Sequence, residues 1–410
     1  MGGISMANST RKAKPRKDLP PKPHPDFPLT AHRNGQWCKK VRGKIHYFGL
    51  LADHQKALDA WIAQKDDLLA GRKPREKGRS GDGLADLVNA YLTHKEAILE
   101  AGELTPRTFA DAHRTCARLL VQFGKDRLVS DLRQDDFAAL RDSLSKVLGP
   151  VALGNAIQRI RSVFKYAFET GLISAPLVFG PGFKRPSKKT LRLERVRRGP
   201  RMFEQTELQK VLALAKTPMR AMILLGLNAG LGNSDLANLP LKAINLENGW
   251  VNYPRPKTGI ARRFPLWAET IEALKEAIAA RPAPREPEDE GIVFITKYGG
   301  RWYKSIFEQI PDTEGKGEAK FRDYSDSAIT KAFAKLLKAA GIEQRSGRGF
   351  YALRHVFETV AGESRDQIAV DHIMGHADSS MAGVYRERIG DDRLSAVVEH
   401  VRGWLFVSEK

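Results

Sequence analysis

Residues His372–Ile389 read HIMGHADSSMAGVYRERI, with two histidines four apart and a lone tyrosine, Tyr385, nine residues after the second. Three chemistries fit such a run: a metal-binding histidine pair, a stretch of packed helix, or a tyrosine that attacks phosphate beside a helper. The i, i+4 spacing of His372 and His376 is that of a zinc pair on one helix. A metalloprotease helix would need Glu after the first histidine, and the chain has Ile373 there. Gly375, directly before His376, points to a turn that breaks the helix between them. The metal reading therefore falls away, and the choice between the other two rests on the rest of the chain.

The composition narrows the partner. The 410 residues exceed one typical core, so two or three domains are expected. Net charge is +20, which favours a polyanion and most simply nucleic acid. That charge is clustered: residues 1–80 carry 18 Lys/Arg against 7 Asp/Glu, and residues 184–201 carry 9 against 1. The rest of the chain is almost neutral, so two segments are singled out for phosphate contact. Cys38 and Cys116 stand alone and far apart, which excludes a disulfide framework or cysteine zinc cluster and suits a reducing cytoplasm. No apolar run is long enough to span a bilayer, and the N-terminus runs into basic residues instead of a signal-peptide core.

The pattern along the chain predicts a mainly α protein with small β-sheets. Residues 1–25, rich in Lys and Pro, are expected to be a disordered basic tail. Residues 26–80 form a strand-rich module ending in one helix. Its turns are Asn34-Gly35 and Arg42-Gly43-Lys44, and Lys39, Lys40, Arg42 and Lys44 lie on its strands as DNA ligands. Residues 81–183 hold four helical periods, a compact bundle whose last helix shows Arg159, Arg161 and Lys165 beside its apolar stripe. Residues 184–201 lack periodicity, so Lys188, Lys189, Arg195, Arg197 and Arg198 are expected on an extended linker along a phosphate backbone. Residues 202–410 mix helices with short strands. Among them are GIVFIT (291–296) and a hairpin turning at Lys257-Thr258-Gly259.

Three stretches of the last domain, RPKTGIARRFPL, YALRH and IMGHADSSMAGVYRER, together resemble the tyrosine recombinases of the phage integrase family. The resemblance extends to the layout: an arm-type module, a core-binding bundle, a linker and a mixed α/β catalytic domain. It implies strand cleavage through a covalent 3′-phosphotyrosyl bond, with Tyr385 the nucleophile. Arg354 would bind the non-bridging oxygens, His376 would donate to the same phosphate, and Lys257 would protonate the leaving 5′-oxygen. No metal or nucleotide cofactor is implied. Leu394, Val397, Val398, Val401 and Trp404 match a C-terminal helix that family members bury in a neighbour, so a homo-oligomer, a tetramer on double-stranded DNA, is expected.

Two positions depart from the family pattern. Gly232, in AGLGNSDLANL, stands where the first arginine belongs, with Asp235 at the following glutamate. Tyr351 takes the place of the box's leading histidine. A phenol donates a hydrogen bond but is a poor base at neutral pH. Arg262, Arg263 and Arg301 are the cations placed by sequence to compensate at Gly232. Two alternatives remain at this point: a DNA-binding protein that has lost cleavage, and a type IB topoisomerase, which needs the same arginine.

Overall fold

The protein is described here by a computed structural model covering residues 19–71, 83–310, 320–378 and 380–406. Most of the basic tail expected at 1–25, and residues 72–80 of the strand-rich module, lie outside these. The described chain gathers into two compact units. The first takes residues up to Tyr91 with Cys116–Ser143 and Ile160–Phe183. The second takes Leu92–Thr115, Leu144–Arg159 and the chain from Lys184 onward.

In the first unit, β1 (Thr30–Ala31), β2 (Gln36–Val41) and β3 (Lys44–Leu50) form an antiparallel sheet in that order. The β2–β3 turn needs two left-handed residues, supplied by Arg42 (φ 49°) and Gly43 (φ 86°). Helix α1 (His54–Leu69) starts at Asp53, whose carboxylate accepts the Lys56 N–H at 3.0 Å. Its Ala57, Trp61 and Leu68 close over Phe27, Trp37 and Phe48. The bundle helices are α2 (Leu84–Glu100), α3 (Pro106–Phe123), α4 (Gln134–Val147) and α5 (Pro150–Glu169). Their first-unit portions pack around Phe137, whose ring meets Phe123, Phe164, Phe179 and Phe183 at centroid distances of 4.6–5.7 Å.

The second unit opens with a difference from expectation. Residues 188–198 are helical, as α6 (Lys188–Arg198), and not extended. The helix buries none of its residues. With no apolar stripe to bury, it leaves no hydrophobic period to read. Local forces form it instead. Ser187 caps the Thr190 N–H, Glu194 accepts from Arg197 and Arg198, three arginines occupy the negative C-terminal end, and Gly199 (φ 71°) stops it.

Beyond α6 come α7 (Gln205–Leu214), α8 (Met219–Ala229) and the short α9 (Asn233–Ala237). Strands β4 (Ile244–Asn245), β5 (Trp250–Asn252) and β6 (Arg263–Pro265) form a second antiparallel sheet. Helix α10 (Ala268–Ala279) follows. GIVFIT then forms only isolated bridges, Ile292 to Pro240 and Ile295 to Arg301, where a strand was expected. Strands β7 (Tyr303–Ile310) and β8 (Lys320–Ser327) pair antiparallel. Five helices complete the chain: α11 (Ala328–Ala339), α12 (Ala352–Gly362), α13 (Gln367–Met374), α14 (Met381–Tyr385) and α15 (Asp391–Phe406). α8, α12 and α15 cross at the centre of one large core.

Helix α15 corrects a second expectation. Leu394, Val397, Val398, Val401 and Leu405 are buried within their own domain. The Trp267 indole N–H donates to the Val398 carbonyl at 2.9 Å, and Arg402 forks onto Glu269 at 2.7 and 3.0 Å. An apolar stripe shows that something covers it, not whose surface does. Here the cover is cis.

Candidate active site

Arg354 organises the site. On α12, Leu353, Val356, Phe357, Val360 and Ala361 repeat at helical spacing and face the core. Arg354 adjoins that stripe and is only 5% exposed. Its Nη1 donates to the Gly230 carbonyl at 2.7 Å and its Nη2 to the Met374 carbonyl at 2.9 Å. Those carbonyls lie at the C-terminal ends of α8 and α13, where helix dipoles favour a cation. Burial first, and the nearby charge of Arg255 second, lower the Arg354 pKa.

Both helix ends turn through glycines with positive φ, Gly230 at 64° and Gly375 at 65°. The second carries the chain out of α13 so that the His376 ring meets Arg354 at 2.9 Å, Nη2 to Nε2. His372 stays within α13, half-buried, its pKa lowered by burial. The two histidines therefore do not share a helix face. A guanidinium has no acceptor, so His376 Nε2 is the unprotonated nitrogen and Nδ1–H donates to Asp371 Oδ1 at 3.0 Å. Glu358 Oε2 lies 3.9 Å from the same Nδ1. Among the described residues Glu358, Asp371 and His376 are the one trio close enough to hold a metal ion.

Gly232 sits at the N-cap of α9 with φ −95°, a conformation open to any residue. A Cβ there would meet the Tyr351 ring at 3.4 Å and Asp235 Oδ2 at 3.5 Å, both ordinary contacts. The two departures from the family pattern thus lie against each other: the Tyr351 ring leans on the atom from which an arginine side chain would grow. Asp235 Oδ2 accepts the Gly232 N–H at 2.9 Å, while Oδ1 accepts from Arg262 Nη2 at 3.3 Å.

The compensating cations separate clearly. Arg262 is in the site but buried, its Nε bonded to the Tyr253 carbonyl and its Nη1 without a partner among the described residues. Arg263 turns away, forked onto Asp391 at 2.9 and 2.7 Å and stacked on Trp250. Arg301 is held by Asp289 and Asn238. Sequence reading missed Arg255, which donates to the Gly375 carbonyl at 3.2 Å. Only its place two residues before Lys257 pointed to it.

Lys257 and Tyr385 border the site on exposed segments. Lys257 is at the tip of the β5–β6 hairpin, where Thr258 and Gly259 N–H groups return to the Arg255 carbonyl. Tyr385 ends α14 and is 77% exposed. Asp378 fixes that helix: it accepts from the Ser380 N–H and hydroxyl and pairs with Arg386 at 2.8 Å. These partners, Ser380 first, hold its carboxyl down at about 2. A cleft of about 410 Å³ runs between hairpin residues Ile260 and Ala261, His376, and Gly383 and Arg386 of the tyrosine segment.

Residues 201–389 match the phage integrase family. That stretch is a domain of the family. It is 26% identical over 247 residues to the tyrosine recombinase XerC of Lactobacillus delbrueckii subsp. bulgaricus, covering 58% of this chain and 72% of that one. XerC of Salmonella typhi is 25% identical over 295 residues, 69% of this chain and 85% of that one. The fold is that of a lambda integrase dimer bound to a COC′ core site. There the TM-score is 0.53 at 16% identity, over 91% of this chain and 97% of the other. The Tn1549 transposon integrase in complex with circular intermediate DNA gives 0.54 at 16%, over 79% and 99%.

The nucleic-acid candidates outside residues 201–389 fare unevenly. Lys39 turns inward, donating to the Pro28 carbonyl at 2.9 Å and lying over Trp61. Arg161 donates to the Phe183 carbonyl at 2.8 Å and stacks on Phe179. Arg159 pairs with Asp111, and Lys165 with Glu169 at 3.3 Å. Arg42 reaches back toward the Leu69 carbonyl. Lys40 and Lys44 remain exposed on the sheet, as do Lys188, Lys189 and Arg195 on α6, whose Arg197 and Arg198 engage Glu194. No described helix is long and apolar enough to cross a membrane.

Proposed function

We propose that this integrase-family chain cleaves and rejoins double-stranded DNA at a specific site, with Tyr385 as the nucleophile. The observation that carries the reading is the buried Arg354, held by two helix-end carbonyls beside His376 and facing no carboxylate of its own. Its Nε–H and second Nη1 hydrogen have no partner among the described residues, so a phosphate oxygen can take them. Tyr385 Oη attacks the phosphorus and loses its proton to water. The 5′-oxygen leaves with a proton from Lys257, and a 3′-phosphotyrosyl bond keeps the energy for religation. His376 Nε2 accepts from Arg354 in the free protein. Donation to phosphate therefore requires a proton on that nitrogen.

Two surfaces serve binding: the exposed lysines Lys40 and Lys44 at the β2–β3 turn, and the exposed helix α6. Several copies act together on DNA, through contacts other than the apolar face of α15. A second reading, DNA binding without cleavage, is favoured by the Tyr351 ring standing where an arginine would. The test is to trap a covalent protein–DNA adduct on duplexes that the full chain selects from a random pool, nicked so that religation fails. An adduct lost in Tyr385→Phe supports cleavage. Tight, selective binding with no adduct at any nick position supports the second reading.

A further inference from the structure

Arg255 is bound as few surface arginines are. Its side chain's only hydrogen-bond partner among the described residues is the Gly375 carbonyl, at 3.2 Å, immediately before His376. It has no carboxylate partner there, whereas Arg263, Arg301, Arg393 and Arg402 all do. Packing fixes its position. A Cβ on Gly375 would fall 3.0 Å from the Arg255 Cβ and 2.7 Å from the Arg262 Cδ, so the hairpin is pressed onto the backbone of the histidine loop. Arg255 is the strongest charge acting on Arg354 and also acts on Arg262. Three guanidinium groups thus surround Gly375–His376; of the nearby carboxylates, Asp235 is committed to Arg262 and the Gly232 N–H, while Asp371 and Glu358 lie on the Nδ1 side of His376. Guanidinium groups gathered on the other side, two of them without a carboxylate partner, make a site that gains from an anion. Arg262 cannot meet one, because its side chain is wholly buried. Arg255 is half-buried, and its Nε and Nη2 are uncommitted among the described residues.

We infer that Arg255 is the second guanidinium on the scissile phosphate, supplying with Arg354 the charge that position 232 does not. The inference rests on the strand-cleavage reading above. It explains how a glycine can stand at 232: the cation enters from the hairpin, along the histidine loop, while the Tyr351 ring covers the α9 side.

Two measurements on the full chain test it. On the nicked duplexes, Arg255→Gln should slow adduct formation by about a hundredfold or more, the usual effect of losing one donor to a developing oxyanion. Arg255→Lys should recover part of the rate through its charge, without the fork. In the second measurement, inorganic phosphate is titrated while the His376 ring signals are followed by NMR. Binding should weaken at least tenfold in Arg255→Gln and stay unchanged in Arg263→Gln. This arm also shows through the ring signals that the histidine loop remains folded. Adduct formation in Arg255→Gln within threefold of the unaltered chain overturns the inference and leaves the cleavage reading standing. No adduct in the unaltered chain, with the phosphate effect present, removes the cleavage reading and keeps Arg255 as an anion ligand. Equal phosphate binding in Arg255→Gln and the unaltered chain overturns the inference whatever the adduct assay gives.

Discussion

Gly232 and Tyr351 should be energetically coupled, and a double-mutant cycle measures the coupling. The backbone at Gly232 carries no demand for glycine, so Gly232→Arg creates no dihedral strain. Its Cβ would sit in ordinary contact with the Tyr351 ring, but the atoms beyond Cβ need the space that ring covers. Tyr351 is 53% exposed and can swing out, at the expense of its contact with position 232 and its edge-on packing against His355. A new donor to the phosphate is worth about 3 kcal/mol in transition-state binding. Displacing the tyrosine should consume part of it, about 1 kcal/mol for a partly exposed aromatic contact. With about 2 kcal/mol left, Gly232→Arg alone should raise adduct formation about thirtyfold. With Tyr351→His, whose smaller ring frees part of the space, the increase should exceed about a hundredfold. The assay is single-turnover adduct formation on the nicked duplex for the parent, both single variants and the double. Additivity within about 0.5 kcal/mol would refute the argument, since uncoupled sites behave that way. So would a rate for Gly232→Arg that falls while its fold is intact.

Tyr385→Phe should abolish the adduct and leave DNA affinity unchanged, which a gel shift alongside the trapping assay checks. Replacing Lys188, Lys189, Arg192 and Arg195 on α6 by glutamine should lower the slope of log affinity against log salt by about 3–4, if each lysine or arginine meets one phosphate. An unchanged slope would make that charge solvation alone. Leu394→Ala, at a fully buried position of α15, should destabilise the protein by about 2–5 kcal/mol. Because the helix packs in cis, the loss should be independent of protein concentration in denaturant melts. Asp378 has a carboxyl pKa depressed to about 2, so its stabilisation of the tyrosine segment is complete above about pH 4 and fades as pH falls through 2. The Gly383 amide signal should follow that titration, and Asp378→Asn should remove it.

Sequence alone settled what local chemistry and periodicity control. Gly35 and Gly43 mark turns because glycine takes positive φ without strain, and both do so in the structure, at 87° and 86°. Gly375 separated His372 from His376 for the same reason. The order of Lys257, Arg354, His376 and Tyr385 identified the family because spacing along the chain survives where overall identity does not. Helix α6 was hidden because it buries nothing, and a helix without a buried face has no period. The host of α15 was undetermined because a stripe encodes burial but not its partner. Which arginines serve the site was likewise a tertiary matter. Arg262 directly precedes β6 and Arg263 begins it, so alternation along the extended chain sends one into the core beside Asp235 and the other out to Asp391. Arg255 reaches Gly375 across 120 residues of chain. No local pattern encodes that contact; only the folding of the hairpin onto the histidine loop makes it.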